Sequence, residues 1–149
     1  MNTNTTKTWT VAINADEVFA RCVNESLYQS NRMGGTPDGE PLVIQDDDRA
    51  QFDVYLSAAI AELRMLLARY MDEPEMQTNL GLVFKMNVRA DHDNNIYPVL
   101  INHCYDFVFK KVLEQWYHAE FGSALARLEI NHCLQYRKNP VRRRLGPLF

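Results

Sequence analysis

The chain has 149 residues, a length that suits one domain with a sizeable hydrophobic core. Its hydrophobic content of 46% and charged content of 23% exclude a collagen-like or wholly disordered protein. Its apolar stretches fall far short of the roughly 20 residues that cross a bilayer, and the polar N-terminus predicts no secretory signal. We therefore expect a soluble domain that makes no membrane contact.

The charges are distributed unevenly along the chain. The net charge is −3, yet residues 137–149 contain five basic residues and no acidic one, which leaves −8 on residues 1–136. A basic segment beside an acidic body predicts docking on a negative partner: nucleic acid, a membrane surface or the acidic face of another copy. Because the segment lacks interleaved aromatics and a recognition-helix motif, docking on a protein subunit is favoured. The predicted docking residues are Arg137, Lys138, Arg142, Arg143, Arg144, Leu148 and Phe149.

The three cysteines, Cys22, Cys104 and Cys133, are an odd number in a chain long enough to fold without disulfides. This favours reduced thiols in a cytoplasmic setting, including the cytoplasm in which a virus assembles. Free cysteines usually behave as small buried apolar residues, and we expect these three to do so.

The first predicted elements are a strand and a helix. The alternating, β-prone run at residues 8–13 predicts a short strand, and Asn14 then suits the N-cap of a helix over residues 15–32. The glycines and prolines that follow predict a mobile loop over residues 34–45, without a phosphate-binding pattern. The apolar positions of the helix are Val18, Phe19, Cys22, Val23 and Leu27.

A second helix is predicted over residues 48–71. The acidic run Asp46-Asp47-Asp48 suits the start of a helix, where the dipole favours acids, and this is a simpler role than binding a metal. One wide apolar stripe indicates an amphipathic helix with an inward face. The stripe consists of Phe52, Leu56, Ala59, Ile60, Leu63, Leu66, Leu67 and Tyr70.

A second strand and a polar turn are predicted next. Residues 82–88 alternate as a half-buried strand does, and residues 91–95 begin like a calcium loop. Ile96 stands at the position that requires glycine, and Asn102 stands where the final glutamate belongs, so a turn is the better interpretation.

Two more helices complete the predicted domain, over residues 96–120 and 123–136, with a break at Gly122. The third helix is apolar around most of its cylinder, which is typical of a helix central to its domain or buried against another subunit. One face of it comprises Ile101, Cys104, Tyr105, Val108, Val112 and Trp116, and Leu113 adds to the spread. The candidate oligomer-interface residues are Phe107, Phe109, Trp116 and Tyr117. In the fourth helix the expected inward side chains are Leu125, Leu128, Cys133 and Tyr136.

The sequence thus predicts a mainly α fold: a helical bundle of about four helices with one or two short β-strands and extended terminal arms. Residues 1–136 form the helical domain, and residues 137–149 form a basic C-terminal arm.

The candidate catalytic and metal-ligating residues form no recognised pattern. Asn-His-Cys occurs at residues 102–104 and 131–133, but adjacent helical residues diverge by about 100°, so neither pair can close on one metal. The CxxC and HxxxH spacings of structural zinc sites are absent, which leaves only a cross-helix site that His118 would complete. The serines are scattered, without a GxSxG elbow. We expect no enzyme activity, no metal and no cofactor.

Several short motifs, in order along the chain, resemble those of a known family. They are the run Phe52–Ala59, the strand Val83–Val88, the segment Gln115-Trp116-Tyr117 and the C-terminal segment Tyr136-Arg137-Lys138-Asn139-Pro140-Val141-Arg142-Arg143. The order of these motifs resembles that in small virion proteins of tailed phages and prophages of Bacteroidales. Those proteins show a helix ending in a WY pair and a YRKxPxRR motif near the C-terminus. The layout is also similar to head–tail adaptor, or connector, proteins, which form a ring beneath the portal.

The resemblance implies a structural virion protein, a head–tail connector ring subunit that joins the portal to the tail. It implies that the chain binds copies of itself and the portal and tail proteins, with nonspecific contact to packaged DNA. The implied location is the virion, at the head–tail junction or tail, after assembly in the bacterial host cytoplasm. Two alternatives stay open: a tail-completion or other tail-ring protein, and a DNA-binding packaging accessory protein.

Overall fold

Four α-helices and one two-stranded antiparallel sheet make up the part of the chain that the computed structural model describes, residues 6–33, 43–71 and 82–136. Short 3-10 turns flank the second helix, at Asp46–Asp48 and Ala68–Tyr70. The predicted fold class, a mainly α bundle with short strands, is confirmed. The elements are β1 (Thr6–Ala12), α1 (Ala15–Met33), α2 (Arg49–Leu67), β2 (Val83–Arg89), α3 (Ile96–Tyr117) and α4 (Ser123–Gln135).

The sheet joins two strands that are distant in sequence. β1 and β2 pair antiparallel, with Trp9 opposite Met86 and Val11 opposite Phe84. Each of these four side chains is at most 3% exposed, because successive residues of a strand point to opposite faces and these four share the inner one. One face of the sheet therefore supplies a layer of the core.

The core lies between this sheet and the helices, with α3 at its centre. α3 contacts α1, α2, α4 and β1. Burial of a large apolar side chain contributes about 1.5–3 kcal/mol, so the inward stripe of α2 holds that helix firmly in the bundle. As predicted, this stripe is buried at Phe52, Leu56, Ala59, Ile60, Leu63 and Leu67, and half-buried at Leu66 and Tyr70.

The helix ends follow local backbone chemistry. Asn14 Oδ1 accepts a hydrogen bond from the Glu17 N–H at 3.1 Å, which confirms the predicted N-cap of α1. Asp48 accepts a hydrogen bond from the Gln45 N–H at 2.8 Å, as expected for an acid at a helix start. α3 ends earlier than predicted, because His118 takes a left-handed conformation with φ of 53°.

Four apolar side chains that the sequence placed inward are exposed instead: Leu27 45%, Leu125 60%, Leu128 55% and Tyr136 39%. Helical residues three and four apart share a face. α4 has apolar residues at this spacing on two of its sides, so spacing alone does not show which side faces the core. The side that faces the core is formed by Ser123, Ala126, Ile130, Cys133 and Leu134. The prediction was therefore correct for Cys133 and wrong for Leu125, Leu128 and Tyr136.

Candidate interaction surfaces

The aromatic residues of α3 pack largely within the chain. Phe107 is 4% exposed and lies in the core, so it offers almost no surface to a second copy. Trp116 packs edge-on against Tyr55 with ring centroids 5.8 Å apart, and the Tyr117 ring lies 5.5 Å from that of Phe121. The apolar residues lie around most of α3 because this helix is central and contacts α1, α2, α4 and β1. The candidate interface residues that keep partial exposure are Phe109, Trp116 and Tyr117.

The predicted docking arm lies outside the described residues. Tyr136 is the last described residue, and its ring lies 6.4 Å from that of His92. The role of the arm in binding a partner therefore stays a prediction for Arg137, Lys138, Arg142, Arg143, Arg144, Leu148 and Phe149. Most of the predicted loop over residues 34–45 also lies outside, because the description resumes at residue 43.

A second apolar stripe runs along α2 on the side opposite the core. Val54 is 61% exposed and Met65 is 77% exposed, and they lie about three helical turns apart. Ala58 and Ala61 fall between them at helical spacing, so four apolar residues share this face. We call it the α2 outer stripe. A helix that is apolar on two sides is typical of one buried against a further layer or another chain.

α4 carries a second exposed apolar surface, formed by Leu125 and Leu128, which we call the α4 outer pair. The start of α4 is anchored to α3 by the Glu114 carboxylate. This group accepts hydrogen bonds from the Phe121 N–H at 3.0 Å, the Ser123 N–H at 3.1 Å and the Ser123 hydroxyl at 2.7 Å. Burial raises the pKa of Glu114, but these hydrogen bonds outweigh it and hold the pKa below its usual range. The α4 outer pair thus belongs to a firmly positioned helix.

A shallow groove crosses α3 between α2 and α4. Its volume is about 190 Å³, and its lining includes the exposed Met65, the buried Phe107 and the cationic Arg127. Glu62 at the rim forms an ion pair with Lys111 of α3, with Nζ 3.2 Å from the carboxylate oxygen. Arg127 forms no ion pair with any residue in the described ranges. The α2 outer stripe therefore meets the groove at Met65.

Acidic side chains gather where α1 and α2 begin. Arg49 lies 2.9 Å from Asp16 and 3.1 Å from Asp53, and the hydrogen bond to Asp53 is the main reason that its pKa is raised. Asp46 and Asp47 form no ion pair with a described residue and are exposed. This edge therefore keeps a negative charge, in keeping with the acidic body that the sequence predicts.

The cysteine and histidine pairs of α3 and α4 do not converge on one point. His103 lies 3.9 Å from Glu129, and burial, with a smaller contribution from Cys133, raises the pKa of the Cys104 thiol. Across residues 6–33, 43–71 and 82–136, no group of three or more His, Cys, Asp or Glu side chains could hold a metal ion. All three cysteines are buried, as predicted.

The sequence contains a signal for the α2 outer stripe. Val54, Ala58, Ala61 and Met65 recur at the same spacing as the inward residues, and a second apolar series on one helix indicates a second packing face. No such signal identifies the α4 outer pair, because spacing alone does not show which side of a helix faces the core.

No protein-family model, curated protein or solved structure matches this chain. None of the helices in the described segments has the length and apolar character that crossing a membrane requires.

Proposed function

We propose that this protein is a structural virion subunit, a head–tail connector that assembles into a ring and joins the portal to the tail. The observation that supports this most is the pair of exposed apolar surfaces, the α2 outer stripe and the α4 outer pair. Their most exposed members are Met65 at 77% and Leu125 at 60%. The resemblance of the sequence to small phage virion proteins gives the assembly its proposed identity.

A ring needs two different surfaces on each subunit. In a heterologous contact, one surface of a copy meets a different surface of the next copy, and the rotation between them closes the ring. The α2 outer stripe and the α4 outer pair lie on different helices, and each is turned away from the core. We propose that the α2 outer stripe of one copy packs against the α4 outer pair of the next.

The acidic character of the body suits a position beside packaged DNA. The exposed acids at the start of α1 and α2 would repel phosphates, so that DNA slides past the wall of a channel without sticking. The same acids offer a docking surface for the basic arm of a neighbouring copy, which is the favoured role of Arg142, Arg143 and Arg144.

The assembly is tested by placing a charge on each apolar surface. We expect the full chain to form a closed oligomer by mass photometry, and we expect Met65→Asp and Leu128→Asp each to abolish it, because a charge at an apolar contact is costly to bury. Asn102→Asp is the matched control, since it adds a charge at an exposed helical position outside both surfaces. The control should assemble like the unmodified chain.

Mixing the two variants distinguishes a heterologous contact from a self-complementary one. The Met65→Asp chain keeps its α4 outer pair, and the Leu128→Asp chain keeps its α2 outer stripe. One intact contact can therefore form between them, so the mixture should give dimers and nothing larger. A strictly monomeric unmodified chain would overturn the proposal, and so would its absence from virions imaged by cryo-EM.

A DNA-binding accessory protein of packaging is the second candidate, because residues 137–149 carry five basic residues and no acid. It predicts salt-dependent binding of duplex DNA that is lost in the Arg142→Ala, Arg143→Ala, Arg144→Ala triple variant. No gel shift at low salt would eliminate it. Density for the chain away from the portal, within the tail, would favour instead a tail-completion or other tail-ring protein.

A further inference from the structure

A cavity of about 310 Å³ opens where the end of α4 meets the sheet and the 3-10 turn after α2. We call it the His92 pocket. It is separate from the α2 outer stripe and the α4 outer pair, and nothing in the proposed assembly uses it. Its polar lining includes Thr6, Arg69, Asn87, Arg89, His92 and Gln135.

The charged groups around the pocket favour an anion. Arg69 and Arg89 come from two different elements, and no described lining residue is an Asp or a Glu. Arg69 forms no ion pair with a described residue, and its guanidinium lies 5.6 Å from the centre of the Tyr70 ring. Arg89 is held by two hydrogen bonds to the neighbouring Asp91, at 3.0 and 2.8 Å, outside the pocket lining.

His92 is the unusual member of the lining. It is 5% exposed, and its ring lies 4.7 Å from that of Trp9. Neither ring nitrogen has a hydrogen-bond partner among the described residues. Buried polar groups are nearly always hydrogen-bonded, so a ring without partners calls for an explanation. Tyr136, whose ring lies 6.4 Å from that of His92, is 39% exposed, and His92 itself belongs to the pocket lining.

We propose that the His92 pocket binds a phosphate-type oxyanion, with Arg69 and Arg89 as charged donors and His92 as a third donor. A planar carboxylate is satisfied by one guanidinium fork. Asp91 occupies two N–H groups of Arg89, so Arg69 offers a full fork and Arg89 offers its remaining N–H groups. Donors from different elements suit a tetrahedral group, whose oxygens point in several directions. The phosphate could be a free anion or part of a nucleic-acid backbone, and the experiment separates these sources.

The test is a titration of the full chain followed by NMR. Inorganic phosphate is added, with acetate at matched ionic strength as the comparison, and the side-chain nitrogens of His92 and the arginines are observed. We expect phosphate, and not acetate, to shift the His92 ring nitrogens as they gain a partner. Arg69→Gln should weaken phosphate binding by about tenfold, the usual effect of losing one charge-assisted hydrogen bond.

The matched control is Arg127→Gln, which removes another arginine that has no ion pair with a described residue and that lines the groove across α3. It should leave phosphate binding unchanged. If Arg69→Gln and Arg127→Gln weaken binding equally, the effect is one of general surface charge and the proposal fails. It also fails if His92 does not respond to phosphate.

A short DNA duplex identifies the source of the phosphate. Duplex binding that Arg69→Gln weakens and Arg127→Gln spares would assign the pocket to a nucleic-acid backbone. Binding of inorganic phosphate without such an effect on duplex would assign it to a free anion. The oligomer measurements described above use other residues, so failure of the pocket and failure of the assembly are distinguishable.

Discussion

The hydroxyl of Tyr97 on α3 donates a hydrogen bond to the carbonyl oxygen of Thr10 on β1 at 2.6 Å and accepts one from the Thr10 N–H at 3.1 Å. One side chain therefore satisfies both outward backbone groups of a strand residue. An open strand edge attracts other chains, and here a helix closes part of that edge. About two helical turns further along α3, the hydroxyl of Tyr105 accepts a hydrogen bond from the Asn14 N–H at 2.8 Å.

Tyr97→Phe should destabilise the fold by about 1–3 kcal/mol, because two hydrogen bonds of roughly 0.5–1.5 kcal/mol each are lost. The measurement is the midpoint of urea unfolding followed by circular dichroism. Tyr55→Phe is the matched control, since the Tyr55 hydroxyl has no hydrogen-bond partner in the described ranges. Equal midpoints for the two variants would contradict this account of the strand edge.

Glu114 should make stability depend on pH. Its pKa in the folded state lies below the ordinary value of 4.5, so its contribution is fully present above that value and is lost as the pH falls through the lower folded pKa. The urea midpoint of Glu114→Gln should therefore be lower than that of the unmodified chain at about pH 7. The difference between the two midpoints should narrow as the pH falls below 4.5. Glu120→Gln, at an exposed carboxylate just after the end of α3, serves as the control and should leave the urea midpoint unchanged at both pH values.

The hydroxyl of Ser26 on α1 should stabilise the segment around Ile44 that precedes α2. Its hydroxyl donates to the Val23 carbonyl at 2.8 Å and accepts the N–H of the fully buried Ile44 at 2.8 Å. Ser26→Ala leaves that N–H buried without a partner, which costs about 1–3 kcal/mol. Ser57→Ala, at an exposed position of α2, should leave the unfolding midpoint nearly unchanged. A comparable decrease in the unfolding midpoint of both variants would contradict a stabilising role for the hydrogen bond between Ile44 and Ser26.

The cysteines should react slowly with thiol reagents in the folded protein. Burial, with a smaller contribution from Glu25, raises the pKa of Cys22 to about 12, and burial also raises the pKa of Cys104 and Cys133. The reactive thiolate is therefore scarce at neutral pH. We expect little reaction with a disulfide reagent in buffer and complete reaction of all three in urea. A rapid burst in buffer would show that one thiol is accessible.

The elements could be predicted from the sequence because their signals are local. Asn14 caps α1 as its side chain indicates, and the inward stripe of α2 follows from spacing alone. The start of α3 at Ile96 was predicted correctly, but its C-terminal end was not, since His118 adopts a left-handed conformation usually left to glycine.

The surfaces were predicted less well, because exposure depends on which elements come together. Phe107 was a candidate interface residue and is buried by its neighbours, whereas Leu128 was expected inward and is exposed. His92 lies in a polar turn whose composition indicates exposure, yet antiparallel pairing brings Trp9 of β1 against it. Such contacts join residues more than 80 positions apart, and no local pattern records them.

The pairing of β1 with β2 also has a consequence for biosynthesis. Even the closest partners, Ala12 and Val83, are separated by more than 70 residues, and a ribosome adds roughly 5–20 residues per second. Several seconds therefore pass after β1 is made before its partner strand exists. During that interval the apolar side chains of Trp9 and Val11 have no sheet to join, so the nascent chain depends on the growing helices, or on a chaperone, to shield them.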